Sequence, residues 1–266
     1  MSKRIKDIGT LDGDVLLFGG AYSNLQATEA LVGEAERRGI SSTNIICTGD
    51  LVAYCADPTS VCDLLVDRVH CVAGNCERQI AEGASDCGCG FSEGTACDLA
   101  SRGWYPYASQ RLDGYLDSFR DLPDAVTFMY QDARYVVIHG GFNDISRFIW
   151  PSDAEGVFER EISAIERETG PINAVVAGHS GLAFQRQIGS RLWINAGVIG
   201  MPPHDGRPQT RYAVLSPDGV RFHALTYDYE AAAQALINAG LTQGYEKALV
   251  SGYWPAEDIL PRELRR

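Results

Sequence analysis

Four residues with metal-binding chemistry stand at the same kind of place along this chain. Each lies beside a glycine at the end of a short apolar run: Asp50 in NIICTGD, Asn75 in HCVAGN, His139 in RYVVIHGG and His179 in INAVVAGHS. A carboxylate, an amide oxygen and two imidazoles make a donor set suited to Mn, Fe or Zn. A single Gly-Asp or Gly-His pair is more often a turn than a ligand. Four of them on separate runs call for a common platform. An open α/β sheet supplies one, because residues at the carboxyl ends of its strands converge on one crevice.

The surrounding pattern predicts such a platform. DVLLFG reads as a buried strand, and Leu25, Ala27, Ala30, Leu31 and Ala35 then recur at helical spacing, with Gly39 as the expected C-cap. NIICTG is a second strand, a helix starts at Asp57-Pro58, and HCVAG is a third strand. Strand, helix, strand, helix, strand implies a parallel sheet with right-handed crossovers. Residues 76–123 break the rhythm and read as an insertion. AVTFMY and RYVVIHGG form an expected hairpin, DAEGVFEREISAIERE an amphipathic helix, and RLWINAG, RYAVLS and VRFHALTY more antiparallel strands. Helices are expected near 229–239 and 243–251.

Composition narrows the partners. The formal net charge of −12 over 266 residues repels polyanions, so nucleic acid is not expected as a partner. No window approaches the roughly 18 apolar residues of a membrane span, and the first residues lack the apolar core of a signal peptide. The expected location is the cytoplasm, where the eight cysteines, all within the first 97 residues, stay reduced. Cys47, Cys62 and Cys71 read as small buried hydrophobes. Cys76, Cys87, Cys89 and Cys97 lie in polar, glycine-rich sequence. Thiolates from Cys76, Cys87 and Cys89 would favour Zn or Fe. The C-x-C spacing fits no familiar zinc signature, and a glycine turn with reduced thiols is the other reading.

The order Gly-Asp, Gly-Asn, His, Gly-His along a βαβ chain resembles the calcineurin-like metallophosphoesterases, in particular their small bacterial diadenosine-tetraphosphatase-like and phosphodiesterase-like branch. The likeness runs from about residue 14 to residue 225 and includes the turn in NAGVIGMPP, with Asn195, Gly197 and Gly200. The resemblance implies an α/β fold in four αββα layers, a sandwich of mixed sheets flanked by helices. It implies one domain over 1–266, with 76–123 as a helical insertion over the active-site crevice.

The resemblance also implies two metals sharing one carboxylate. That family's first metal takes the Asp and His of a D-x-H and the last His of a G-H-x-H. Aligned on Ser23-Asn24-Leu25, those positions fall here on Gly20, Tyr22 and Gly181. The second metal's ligands all remain, as Asp50, Asn75, His139 and His179. The expectation is one divalent metal (Mn, Fe or Zn), with a second only if cysteines or other residues replace the missing ligands.

Cys76 stands where the family has the His of G-N-H, which the resemblance implies protonates the leaving group, and Cys76 and Tyr22 are the catalytic candidates. Asn24 and Arg78 are the candidates to bind substrate. The expected function is metal-dependent hydrolysis of phosphomono- or phosphodiesters, on a small phosphate ester or nucleotide. The alternative is a catalytically weak or inactive relative that binds metal, nucleotide or a protein partner. A cysteine-based redox role rests on CGCG alone.

Overall fold

The computed structural model describes residues 3–88, 94 and 96–266. The expectation about Cys89 falls outside them, and so does the side chain of Cys97. Among the described residues the chain forms two mixed sheets. The six-stranded sheet runs β1 (Ile5–Thr10), β5 (Ala125–Tyr130), β6 (Ala133–Val137), β7 (Ala174–Ala177), β9 (Arg191–Ala196), β8 (Ala183–Ile188). The five-stranded sheet runs β11 (Gly219–Leu225), β10 (Thr210–Ser216), β2 (Val15–Phe18), β3 (Ile45–Cys47), β4 (His70–Cys71). β2, β3 and β4 pair in parallel, as do β6, β7 and β9. β5 and β6 form the expected antiparallel hairpin.

Side-chain alternation sorts the strands into layers. In β2, Val15 and Leu17 join Ile46, Val126, Phe128, Val137, Val176 and Ile194 in a core between the sheets. Leu16 and Phe18 point the other way, into a second core with α1 (Leu25–Arg38) and α2 (Pro58–Leu65). On the far side, Val136, Ile138, Val175 and Trp193 pack against Phe158, Ile162 and Ile165 of α6 (Glu155–Thr169). The result is helix, sheet, sheet, helix, the four layers expected.

Local signals fix several ends. Gly39 takes the left-handed conformation, φ 68°, and its N–H reaches the Ala35 and Glu36 carbonyls to close α1. Pro58 opens α2 at its first turn. The segment 76–123 contributes most of α3 (Asn75–Glu82), then α4 (Ala96–Ser109) and α5 (Leu116–Asp121). Its Trp104, Tyr105 and Phe119 are buried in the same core as α1 and α2. The chain closes with α7 (Tyr229–Asn238) and α8 (Tyr245–Ser251). Two strands escaped the sequence reading. β1, IKDIGT, and β8, AFQRQI, lie at opposite edges of the six-stranded sheet and leave most side chains partly or fully exposed. Edge strands do not need the apolar runs that mark central ones.

Candidate metal centre

The two sheets meet at the carboxyl ends of four strands, and each sheet supplies two polar residues there. β3 leads into Asp50 and β4 into Asn75, the first residue of α3. β6 leads into His139 and β7 into His179. All four are buried. The possible ligand atoms of Asp50, His139 and His179 lie within 4.8 Å of one another. His139 Nε2 is 2.9 Å from His179 Nδ1, 3.0 Å from Asn75 Oδ1 and 3.3 Å from Asp50 Oδ2. His179 Nδ1 lies 3.9 Å from the same carboxylate oxygen.

The hydrogen bonds behind these atoms decide what they offer. His139 Nδ1 is 2.6 Å from the Thr48 carbonyl, and His179 Nε2 is 2.9 Å from the Ser146 carbonyl. A carbonyl only accepts, so each of those nitrogens carries the ring proton and the other ring nitrogen turns a lone pair inward. Asn75 Nδ2 donates to the Cys87 carbonyl at 2.8 Å, which aims Oδ1 inward. Four acceptors therefore converge with no donor among them. Metal bonds of about 2.0–2.2 Å meeting at roughly 90–110° separate neighbouring ligand atoms by about 3–3.5 Å, close to the spacings here. The residues fit a divalent cation of the Mn, Fe or Zn kind.

Backbone geometry holds the ligands at some cost. Asp50 and His179 have φ of 57° and 61°, in the left-handed region that non-glycine residues rarely adopt. The Asp50 turn presses against Gly74, where any Cβ would collide with the Asp50 carboxylate and amide. Glu77, fully buried, joins the two turns. Its carboxylate accepts from Asp50 N at 2.9 Å, Gly74 N at 2.8 Å and Val52 N at 3.2 Å. The sequence reading passed over Glu77, although a Glu three residues after a helix N-cap is a capping-box signal. Asn195 makes the matching link on the other sheet. It donates to the Gly178 carbonyl at 2.7 Å and Ser180 Oγ at 2.9 Å, and accepts from Gly197 N at 3.1 Å.

Electrostatics follow from this crowding. Burial opposes charge on Asp50, yet His139 and His179 outweigh it and hold the carboxyl well below its usual range. Burial works against a charged His139, but Asp50 outweighs it and raises the affinity of that ring for a proton. For His179 burial prevails, with His139 adding to it, and the ring is driven toward the neutral form. Glu77 is pushed up to about 7 by burial and by the Asp50 charge.

Other sequence expectations are placed differently. Arg78 faces away from the cluster. Its guanidinium donates to the Leu122 carbonyl at 2.6 Å and pairs with Asp124 at 3.0 Å, so the end of α5 holds it. Asn24 is the N-cap of α1, accepting from Ala27 N at 3.1 Å and donating to the Gly200 carbonyl at 3.1 Å; both ends of its side chain serve the fold. The Cys76 side chain is buried in the helical core, and its backbone N lies 3.4 Å from Asp50 Oδ1. Cys87 contributes its carbonyl, which accepts from Asn75 Nδ2. The six cysteines with described side chains are all buried.

Tyr22 lies over Gly20. A Cβ at Gly20 would stand 2.5 Å from the Tyr22 ring and 2.6 Å from Val198 Cγ1. At Gly181, also at the left-handed φ of 77°, a Cβ would meet the Trp254 ring at 3.1 Å and Val198 at 3.9 Å. Apolar atoms thus crowd the space beside Gly20, and apolar side chains wall the space beside Gly181. Among the described residues, Asp50, His139 and His179 form the group of His, Cys, Asp and Glu side chains able to hold a metal.

No curated protein sequence matches the chain. Among solved structures, a metallophosphoesterase from Sphaerobacter thermophilus aligns over 91% of this chain and 100% of its own, at 21% identity and a TM-score of 0.69. A hypothetical protein from Pyrococcus horikoshii OT3 aligns over 90% of this chain and 98% of its own, at 16% identity and a TM-score of 0.74. At those identities the likeness establishes the fold. No helix among the described residues is long and apolar enough to cross a membrane. The model of the calcineurin-like phosphoesterase superfamily domain matches residues 16–219, and with that span the chain belongs to the superfamily, as a metallophosphoesterase-type hydrolase of phosphate esters.

Proposed function

We propose that this chain hydrolyses phosphomono- or phosphodiesters at a single divalent cation held by Asp50, Asn75, His139 and His179. The observation that carries this reading is the convergence of four acceptors, three of them oriented by hydrogen bonds to the carbonyls of Thr48, Ser146 and Cys87. A bound divalent cation supplies Lewis-acid polarisation of a phosphoryl oxygen and lowers the pKa of water. The protein does the positioning. Buried Asp50 provides the negative charge that a cation needs, the Thr48 and Ser146 carbonyls orient the two imidazoles, and Glu77 fixes the Asp50 turn. The buried thiols of Cys47, Cys55, Cys62 and Cys71 accord with a reducing location such as the cytoplasm.

The test is hydrolysis of p-nitrophenyl phosphate and bis-p-nitrophenyl phosphate with added Mn, against His179→Ala. Wild-type rates at least tenfold above the variant support the reading, and equal rates with every metal reject it.

One observation favours a second reading, a weak or inactive relative that retains metal or ligand binding. Cys76, the sequence candidate to protonate a leaving group, is 1% exposed. Metal and phosphate binding with no turnover of any ester would select that reading.

A further inference from the structure

A pocket opens directly beside His179. Its walls carry the rings of Tyr22, Tyr54, Phe148, Tyr245 and Trp254, with Val198 among the aliphatic residues. The Phe148 ring lies 4.3 Å from the His179 ring, so the pocket and the acceptor cluster share a wall. Tyr54 stacks on Tyr245 at 4.5 Å and meets Tyr22 edge-on at 4.7 Å. Trp254 is held by its indole N–H to the Pro202 carbonyl at 2.6 Å and by its backbone N–H to His204 Nδ1 at 2.9 Å. The rings are fixed by the fold.

We propose that this pocket binds the planar aromatic ring of a phosphate ester carrying one phosphoryl group. The proposal rests on the metal-dependent reading above and adds the class of substrate. Three features support it. Aromatic walls offer ring faces and edges to a planar guest, a contact worth more than its buried area alone. Among the described residues no lysine or arginine lines the pocket, and the chain carries a net charge of −12. A chain of several phosphates would place anionic charge there with no cationic side chain to receive it. Third, and favouring an aryl alcohol over a nucleotide as the source of the ring, the buried thiol of Cys76 offers little help to a leaving group. In hydrolysis of an aryl ester, water oxygen bonds to phosphorus as the P–O(aryl) bond breaks. The electron pair leaves on a phenolate, and solvent protonates it. A phenol has a pKa of about 10, so it departs far more readily than an alkoxide.

The ring could belong to an aryl alcohol or to a nucleobase, and binding assays separate these. Dissociation constants are measured on the Mn-loaded full chain for phenylphosphonate against methylphosphonate, and for adenosine 5′-monophosphate against ribose 5-phosphate. At least tenfold tighter binding of either ring-bearing partner is expected, together with a change in tryptophan fluorescence; the pair that shows it identifies the source. Ala256→Trp, which fills the pocket from its rim, should erase the preference while methylphosphonate still binds. Equal affinities in both pairs, or a preference that survives Ala256→Trp, overturns the proposal. Metal and methylphosphonate binding without ring preference removes this inference alone. Absence of bound metal removes the reading beneath it as well.

Discussion

His139 Nε2 and His179 Nδ1 face each other at 2.9 Å, and neither nitrogen carries the ring proton, which on each imidazole lies on the opposite side against a backbone carbonyl. Two lone pairs at that separation repel unless a cation or an added proton lies between them. Asn75 Oδ1 and Asp50 Oδ2 crowd the same space and add two more acceptors. The cluster is therefore a cation trap, and in the absence of metal a proton must serve.

A pH dependence follows. Asp50 raises the proton affinity of His139 against the opposing effect of burial. Metal uptake must displace that proton, so metal affinity should fall as pH drops, by about tenfold per unit once the ring is protonated. Calorimetric titration of Mn in buffers of different ionisation enthalpy should show close to one proton released at acidic pH. Affinity independent of pH between 5 and 8 would contradict this.

The filled space beside Gly20 predicts that a second site is not easily restored. Gly20→Asp places a carboxylate against Tyr22 and Val198 on a backbone with φ of 38°. It should lower stability by about 1–3 kcal/mol, as overpacking does, and leave metal stoichiometry unchanged. Urea denaturation and metal analysis of the variant provide the check, and a gain of one metal per chain would refute it.

Gly74→Ala tests the joint between the two turns. Its Cβ would collide with the Asp50 amide and carboxylate, with Glu77 Oε2 at 2.7 Å. Displacing Asp50 should weaken metal binding by about 10- to 100-fold, the scale of losses around metal ligands. Gly114→Ala, whose Cβ meets nothing within 4 Å and whose φ, like that of Gly74, lies outside the left-handed region, serves as the control away from the cluster. Equal effects on metal affinity would rule out the proposed role of Gly74.

Acid sensitivity has a separate source on α1. Burial disfavours a charged Glu34, but hydrogen bonds from Arg38, Arg37 and Tyr212 outweigh it and hold the carboxyl at about 2. A lowered folded pKa contributes stability that is complete above the unfolded value of about 4.5 and is lost as pH falls through about 2. Melting temperature should therefore decline less steeply below pH 4.5 in Glu34→Gln than in wild type. Parallel curves would exclude a contribution from this cluster.

The sequence exposed the ligands more clearly than the pocket. Asp50, Asn75, His139 and His179 follow buried strands whose apolar runs and closing glycines are visible in one dimension. β1 and β8 were hidden because edge strands can keep polar side chains. Arg78 and Asn24 have partners within the fold that the sequence did not announce. Arg78 is drawn to the Leu122 carbonyl and Asp124 at the end of α5, and Asn24 directly before Leu25 is a helix cap. Nothing near Gly20 or Gly181 in the sequence announces that Trp254, more than seventy residues beyond Gly181, covers that space. That relation exists only once the chain has folded.

The central claim is tested most directly by counting metal. Elemental analysis of the purified protein after Mn loading and desalting should give one ion per chain in wild type and none in Asp50→Asn/His179→Ala, with far-ultraviolet circular dichroism unchanged. Two ions per wild-type chain, or one ion retained by the double variant, would contradict a single cation at these four residues.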